Sequence, residues 1–159
     1  MVNAPNQEKS LKAQRDASTV FYKYKDEDVD DLGISNEEKE EFEASIKWVS
    51  LKQQFFNTTL IADEYFDNSN AYGMTETDEG SLDYVKQLKT ALTIPVSGAK
   101  IEKFGMAMYL GPNKYDILKD HGNELQDIID LGWTIFGWVN KIAVIPVFNK
   151  MVSIKIIIP

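Results

Sequence analysis

The chain has 159 residues, enough for one domain with a real core, and its 43% hydrophobic and 26% charged content is ordinary for a folded protein. Its 25 Asp and Glu against 17 Lys and Arg give a formal charge of −8, which excludes a general nucleic-acid surface because a polyanion would be repelled. The absence of cysteine excludes disulfides, thiol chemistry and Cys-ligated zinc or iron–sulfur sites.

The opening MVNAPNQEKSLKAQRD has no apolar run and is not a secretory signal. Residues 1–18 therefore read as a polar segment, disordered or a displaced helix. Thr19 to Lys25 (TVFYKYK) alternates β-branched and aromatic residues as a short strand does. Asp26 to Glu43 carries ten acidic residues and one Lys, with Gly33 and Ser35 as turn signals; it reads as a solvated loop with a helical turn over Asn36 to Phe42. Glu43 to Ala62 sets Ile46, Trp48 and Ser50 on one face and Val49 and Leu51 on the other, as one or two strands of a buried sheet.

Asp67 to Gly80 (DNSNAYGMTETDEG) reads as a flexible polar loop. Asp83 to Val96 alternates at Leu88, Thr90, Leu92 and Ile94, a half-buried antiparallel strand ending near Pro95. Lys103 to Leu110 is another strand, with Phe104, Met106, Met108 and Leu110 on one face, stopped by Gly111-Pro112-Asn113. Tyr115 to His121 reads as a short helix that Gly122 is placed to end. Residues 19–130 thus form a mainly β body.

Residues 131–159 differ in kind: LGWTIFGWVNKIAVIPVFNKMVSIKIIIP contains no Asp or Glu, two of the three Trp, and Lys141, Lys150 and Lys155 as its only charges. On a helix, Ile135, Trp138, Val139 and Ile142 share one side while Gly137, Asn140 and Lys141 share the other. Pro146 interrupts the stripe, so a kink or a second short segment follows. A membrane span needs about 20 predominantly apolar residues, and the Asn140-Lys141, Pro146 and Asn149-Lys150 breaks prevent this. A helix lying in the headgroup layer fits, with Trp133, Ile135, Phe136, Trp138, Val139, Lys141 and Ile142 as the membrane-interface residues. An amphipathic helix packed on the chain's own sheet accounts for the same stripe, and residues 150–159 read equally as the start of a span.

Other constellations are near-misses. Asp26, Asp28, Asp30 and Glu37 have calcium-loop spacing, but Asp31 stands where the EF-hand turn needs Gly. His121 is the only histidine, which leaves no transition-metal set. Asn57-Thr58-Thr59 matches a glycosylation triplet that also arises by chance. Asp63, Glu64 and Asp67 offer carboxylates with no spacing that singles out an acid–base pair. No catalytic motif and no cofactor site emerges.

Four blocks in order resemble the end of the large periplasmic domain of the YidC-type membrane protein insertases. They are IKWVSLKQQFF (Ile46 to Phe56), MAMYLGPNKY (Met106 to Tyr115), IDLGWTIFGW (Ile129 to Trp138) and KIAVIPVF (Lys141 to Phe148). The resemblance spans roughly Thr19 to Asn149. It implies part of a β-supersandwich of the galactose-mutarotase-like kind, followed by a C-terminal amphipathic helix. It implies a place on the periplasmic face of the inner membrane of a Gram-negative cell. It also implies a non-enzymatic role in bringing nascent membrane proteins into the bilayer, alone or beside the Sec translocon. The implied partners are the lipid surface, nascent membrane proteins and translocon components. The family's groove Arg has no counterpart: Arg15, the only Arg, lies in the polar start. On this pattern the chain is a fragment, without the family's first anchor, the first half of the domain and the groove helices.

Two readings from other classes compete. One is a carbohydrate-binding or mutarotase-like β-sandwich that stacks sugars on Trp48, Tyr72 or Tyr109. The other is a soluble protein-interaction domain whose tail helix docks on a sheet.

Overall fold

The computed structural model describes residues 1–5, 11–33, 37–77 and 84–129, and the account below is of these. The chain divides into two compact units, Met1–Ile128 and Ile129–Pro159; apart from Ile129, the second lies outside the described residues.

Eight antiparallel strands make up most of the first unit. They are β1 (Val2–Pro5), β2 (Thr19–Tyr24), β3 (Val29–Asp31), β4 (Glu37–Glu41), β5 (Ile46–Lys52), β6 (Phe56–Glu76), β7 (Tyr84–Thr93) and β8 (Met106–Pro112). Two short helices, α1 (Leu11–Asp16) and α2 (Tyr115–Asp120), and a 3-10 turn (Leu125–Ile128) complete it. The strand order is β1-β7-β6-β5-β2-β3, with β4 and β8 also paired to β6. The mainly β expectation holds.

The long β6 organises this sheet. Its first part, Phe56 to Ala62, pairs with β5 and β8. Its last part, Tyr72 to Glu76, pairs with β4 and β7. Between them the register shifts, and Asn70 takes a left-handed φ of 58°. Asn tolerates that conformation because its short polar side chain bonds locally. One continuous strand thereby serves two ladders.

The two ladders face each other. On β2, Val20 and Tyr22 stand opposite Leu51 and Val49 of β5, and these join Leu88 of β7 in one apolar cluster with Phe42, Phe66 and Ala71. Gly73 lets the layers meet: a Cβ there would lie 3.3 Å from each of Val20, Leu32 and Phe42. Fully burying a side chain of this size stabilises by about 1.5–3 kcal/mol relative to leaving it exposed, so a slip that turned Val20, Tyr22 or Leu88 outward would be costly and the register is set.

Two expectations are corrected, and a third, for residues 1–18, departs from the structure only at Val2–Pro5. The acidic segment is not a loop with a helical turn: Val29–Asp31 pairs with β2 and Glu37–Glu41 with β6. Its charges project from an edge strand of alternating exposure, where ladder bonds need no apolar side chains. Nor is Asp67 to Glu76 a flexible loop, since it is the second part of β6, with Ala71, Gly73 and Thr75 turned inward. Within residues 1–18, Val2–Pro5 pairs with β7, placing Val2 opposite Leu88 and the buried Ala4 opposite Lys86, and Leu11–Asp16 is helical.

Candidate functional site

The membrane-interface residues named from the sequence, Trp133, Ile135, Phe136, Trp138, Val139, Lys141 and Ile142, lie outside the described residues. Among the described residues no helix is long and apolar enough to cross a membrane.

Two of the three aromatic candidates for sugar stacking, Trp48 and Tyr109, are buried. Trp48 is fully buried, and its indole N–H donates to the Asn123 carbonyl at 2.8 Å. That carbonyl belongs to a turn in which Gly122, Asn123 and Glu124 all have positive φ, held by an ion pair of 2.8 Å between Glu124 and Lys23. Leu118, Leu125 and Ile128 are buried alongside. Tyr109 turns its ring edge to His121 at 4.9 Å, folds across Gly111 and donates to the Pro112 carbonyl at 2.9 Å. A side chain on Gly111 would collide with that ring. Burial raises the Tyr109 phenol above its ordinary pKa. Tyr72 is half-buried, with the Lys39 ammonium 4.7 Å from its ring centroid. The three rings form no common platform.

The remaining sequence candidates resolve into structural roles. Asn57 is buried in strand β6, its amide donating to Asn113 at 2.8 Å and its carbonyl accepting from Thr59 at 2.7 Å. A glycan has no access to it. Asp30 accepts from the Asp31 N–H at 2.8 Å and Asp31 from the Gly33 N–H at 2.5 Å, so both carboxylates shape the turn after β3. No metal-holding cluster of His, Asp or Glu occurs among the described residues. Asp63 and Glu64 lie beside Glu102 at an open groove also lined by Ile101, Lys103 and Phe104. Hydrogen bonds from Ser97 and the Ala99 N–H hold the Glu102 carboxyl below its usual pKa.

One surface was not anticipated. Along β8, Met106, Met108 and Leu110, which the sequence places on one face, are 47%, 61% and 68% exposed. Register explains their position. Met108 stands opposite Leu60 and Leu110 opposite Thr58, and those residues stand opposite Val49 and Leu51. The stripe therefore continues the sheet face that buries the core, beyond the part that β7 covers. Phe56, opposite Pro112 and 53% exposed, extends it. Of the expected set only Phe104 reaches the interior, 5.3 Å from Phe66. Alternation identifies a shared face but does not show what covers that face.

Residues 4–143 match the family model of the YidC periplasmic domain. The chain belongs to that family. It is 34% identical over 149 residues to the membrane protein insertase YidC of Porphyromonas gingivalis, covering 88% of this chain and 23% of that protein. It is 33% identical over 151 residues to the membrane protein insertase YidC of Parabacteroides distasonis, covering 90% and 23%. It is 29% identical over 155 residues to that of Azobacteroides pseudotrichonymphae, covering 92% and 25%. The chain spans about a quarter of the length of these relatives. The family match includes the β body and extends past Ile129 into the apolar segment.

Proposed function

We propose that this chain is part of a membrane protein insertase that assists the insertion and folding of nascent inner-membrane proteins, alone or beside the Sec translocon. It stands on the periplasmic face of the inner membrane, and its own role is non-enzymatic. The match of residues 4–143 to the periplasmic domain carries the reading, and the naming of the relatives as membrane protein insertases supports it. In this reading the body, residues 19–130 with what packs on them, is a sandwich portion of that domain. Residues 131–159 rest in the lipid headgroup layer, because Trp and Lys next to aliphatic residues partition there and no carboxylate opposes them.

The sugar-binding alternative loses support because Trp48 and Tyr109 are buried within the body. Co-sedimentation with phospholipid vesicles tests the insertase reading. The chain is expected to pellet with vesicles, and Trp133→Ser with Trp138→Ser to release most of it. A wild-type chain that stays in the supernatant contradicts the membrane-surface role.

A further inference from the structure

Lys86 is the one fully buried charged side chain among the described residues. It stands on β7 two residues before Leu88 and shares its inward face. Its amine has no hydrogen-bond partner, and neither has the hydroxyl of Thr75, which stands opposite Leu88 on β6. A lysine ammonium held this way loses its water and gains no bond in return, which disfavours the charged form. The amine is already sealed, so no further chain reaches it while the structure stays closed.

The charges on the elements around it do not satisfy it. β1, which sets Ala4 beside Lys86, brings none. α1 packs on β7 and brings Lys12, Arg15 and Asp16, but Asp16 pairs with Lys12 at 2.9 Å. Glu38 of β4 acts only through space, and Glu76 of β6 pairs with Lys89 at 2.8 Å. Across the core β2 and β5 offer Val20, Tyr22, Val49 and Leu51, of which only Tyr22 titrates, and its hydroxyl donates to Glu40.

α1 is a weak cover for such a group. Its six residues fall well short of the roughly 12–15 that a helix needs to stand alone in water. The residue it buries is Gln14, a polar one. Its last turn is closed by local bonds, from the Ala17 N–H to the Ala13 carbonyl at 3.1 Å and from the Ser18 hydroxyl to the Gln14 carbonyl at 2.8 Å. Lifting α1 therefore breaks no strand ladder.

We propose that α1 is a strap over Lys86 that lifts while the sheets stay folded, and that the charge on the Lys86 amine sets how often it lifts. Lifted, the amine meets water and keeps its proton without penalty; closed, it is held more readily as the neutral amine. Burial lowers the closed-state pKa of Lys86 from 10.5, against the smaller opposing pull of Asp16 and Glu38. The lifted state thus binds more protons between the closed-state value and 10.5, so rising pH favours the closed strap and falling pH the lifted one. Nothing in this device depends on the insertase reading.

Trypsin reads the strap, because the bonds after Lys12 and Arg15 are cut only when α1 unwinds. Cleavage of the 159-residue chain is followed at about pH 7 and about pH 9.5, each rate divided by that of a peptide of residues 11–20 at the same pH. The wild type should be cut several-fold more slowly at the higher pH. Lys86→Met should slow cleavage at least tenfold at neutral pH, the factor that one pKa unit represents, and remove the pH difference. Lys86→Arg stays charged throughout and should be cut at least as fast as wild type at both pH values. Acylation of Lys86 in the wild type, read by mass spectrometry against the exposed Lys12, should depend on urea far more weakly than the loss of strand circular dichroism. Three results overturn the proposal: cleavage equal in wild type and Lys86→Met, cleavage of the wild type indifferent to pH, or acylation of Lys86 with the same urea dependence as unfolding of the sheets.

Discussion

Strands β5 and β8 have the same length and opposite fates. β5 contains two lysines, yet Ile46, Trp48, Val49 and Leu51 are buried; β8 contains no charge, yet Met106, Met108 and Leu110 are exposed. Neighbours account for the difference. β5 is paired on both sides, by β2 and β6, and faces β7 across the core, whereas β8 has β6 alone among the described residues. Hydrophobic pattern therefore reports which residues share a face, and topology decides whether that face is covered.

Substitutions can break or sharpen this contrast. The largest effect is expected on β5, where Trp48→Ala opens a cavity and orphans the Asn123 carbonyl, costing about 3–5 kcal/mol in urea unfolding. Gly73→Ala, at the crossing of the two layers, should cost about 1–3 kcal/mol, because three side chains must give way to one methyl group.

Lys86 sits on the inward face of β7, fully buried, with no hydrogen-bond partner for its amine among the described residues. Lys86→Met should stabilise by about 1–3 kcal/mol at neutral pH. Burial lowers the Lys86 pKa from 10.5, and the charges of Asp16 and Glu38 only partly oppose this. Between the folded value and 10.5 the unfolded chain binds more protons, so this group's contribution to stability rises with pH. The advantage of Lys86→Met should therefore shrink as pH approaches 10.5, which paired unfolding curves at two pH values will show.

The smallest effect belongs to β8. Met108→Thr should change stability by no more than about 0.5 kcal/mol, as at other exposed positions. A cost like that of Trp48→Ala would show that the stripe is covered after all.

Much of the sheet was legible in the sequence because β2 and β7 alternate, β5 is rich in β-branched and aromatic residues on both faces, and Gly111-Pro112-Asn113 stops β8. The acidic strands were not: Glu37–Glu41 lacks the β-branched and aromatic residues that mark strands, and it is held by ladder bonds to β6 and by the Tyr22 hydroxyl donating to Glu40 at 2.7 Å. Asp67 to Glu76 was obscured by Asn, Ser, Gly and Asp, which are ordinarily turn formers; here Asn70 marks where β6 changes ladder rather than where it ends. The exposed row on β8 left no distinct signal, since nothing in Met-Ala-Met-Tyr-Leu separates an outer edge from a core strand. The interface residues from Trp133 to Ile142 stand as read from sequence, outside the described residues.

Amide hydrogen exchange of the free chain, comparing β5 with β8, tests the contrast most directly. Ile46–Lys52 should be protected close to the global stability, while alternate amides of Met106–Pro112 exchange orders of magnitude faster. Equal protection of both strands in the free chain would mean that the β8 edge is already occupied, and would contradict the account.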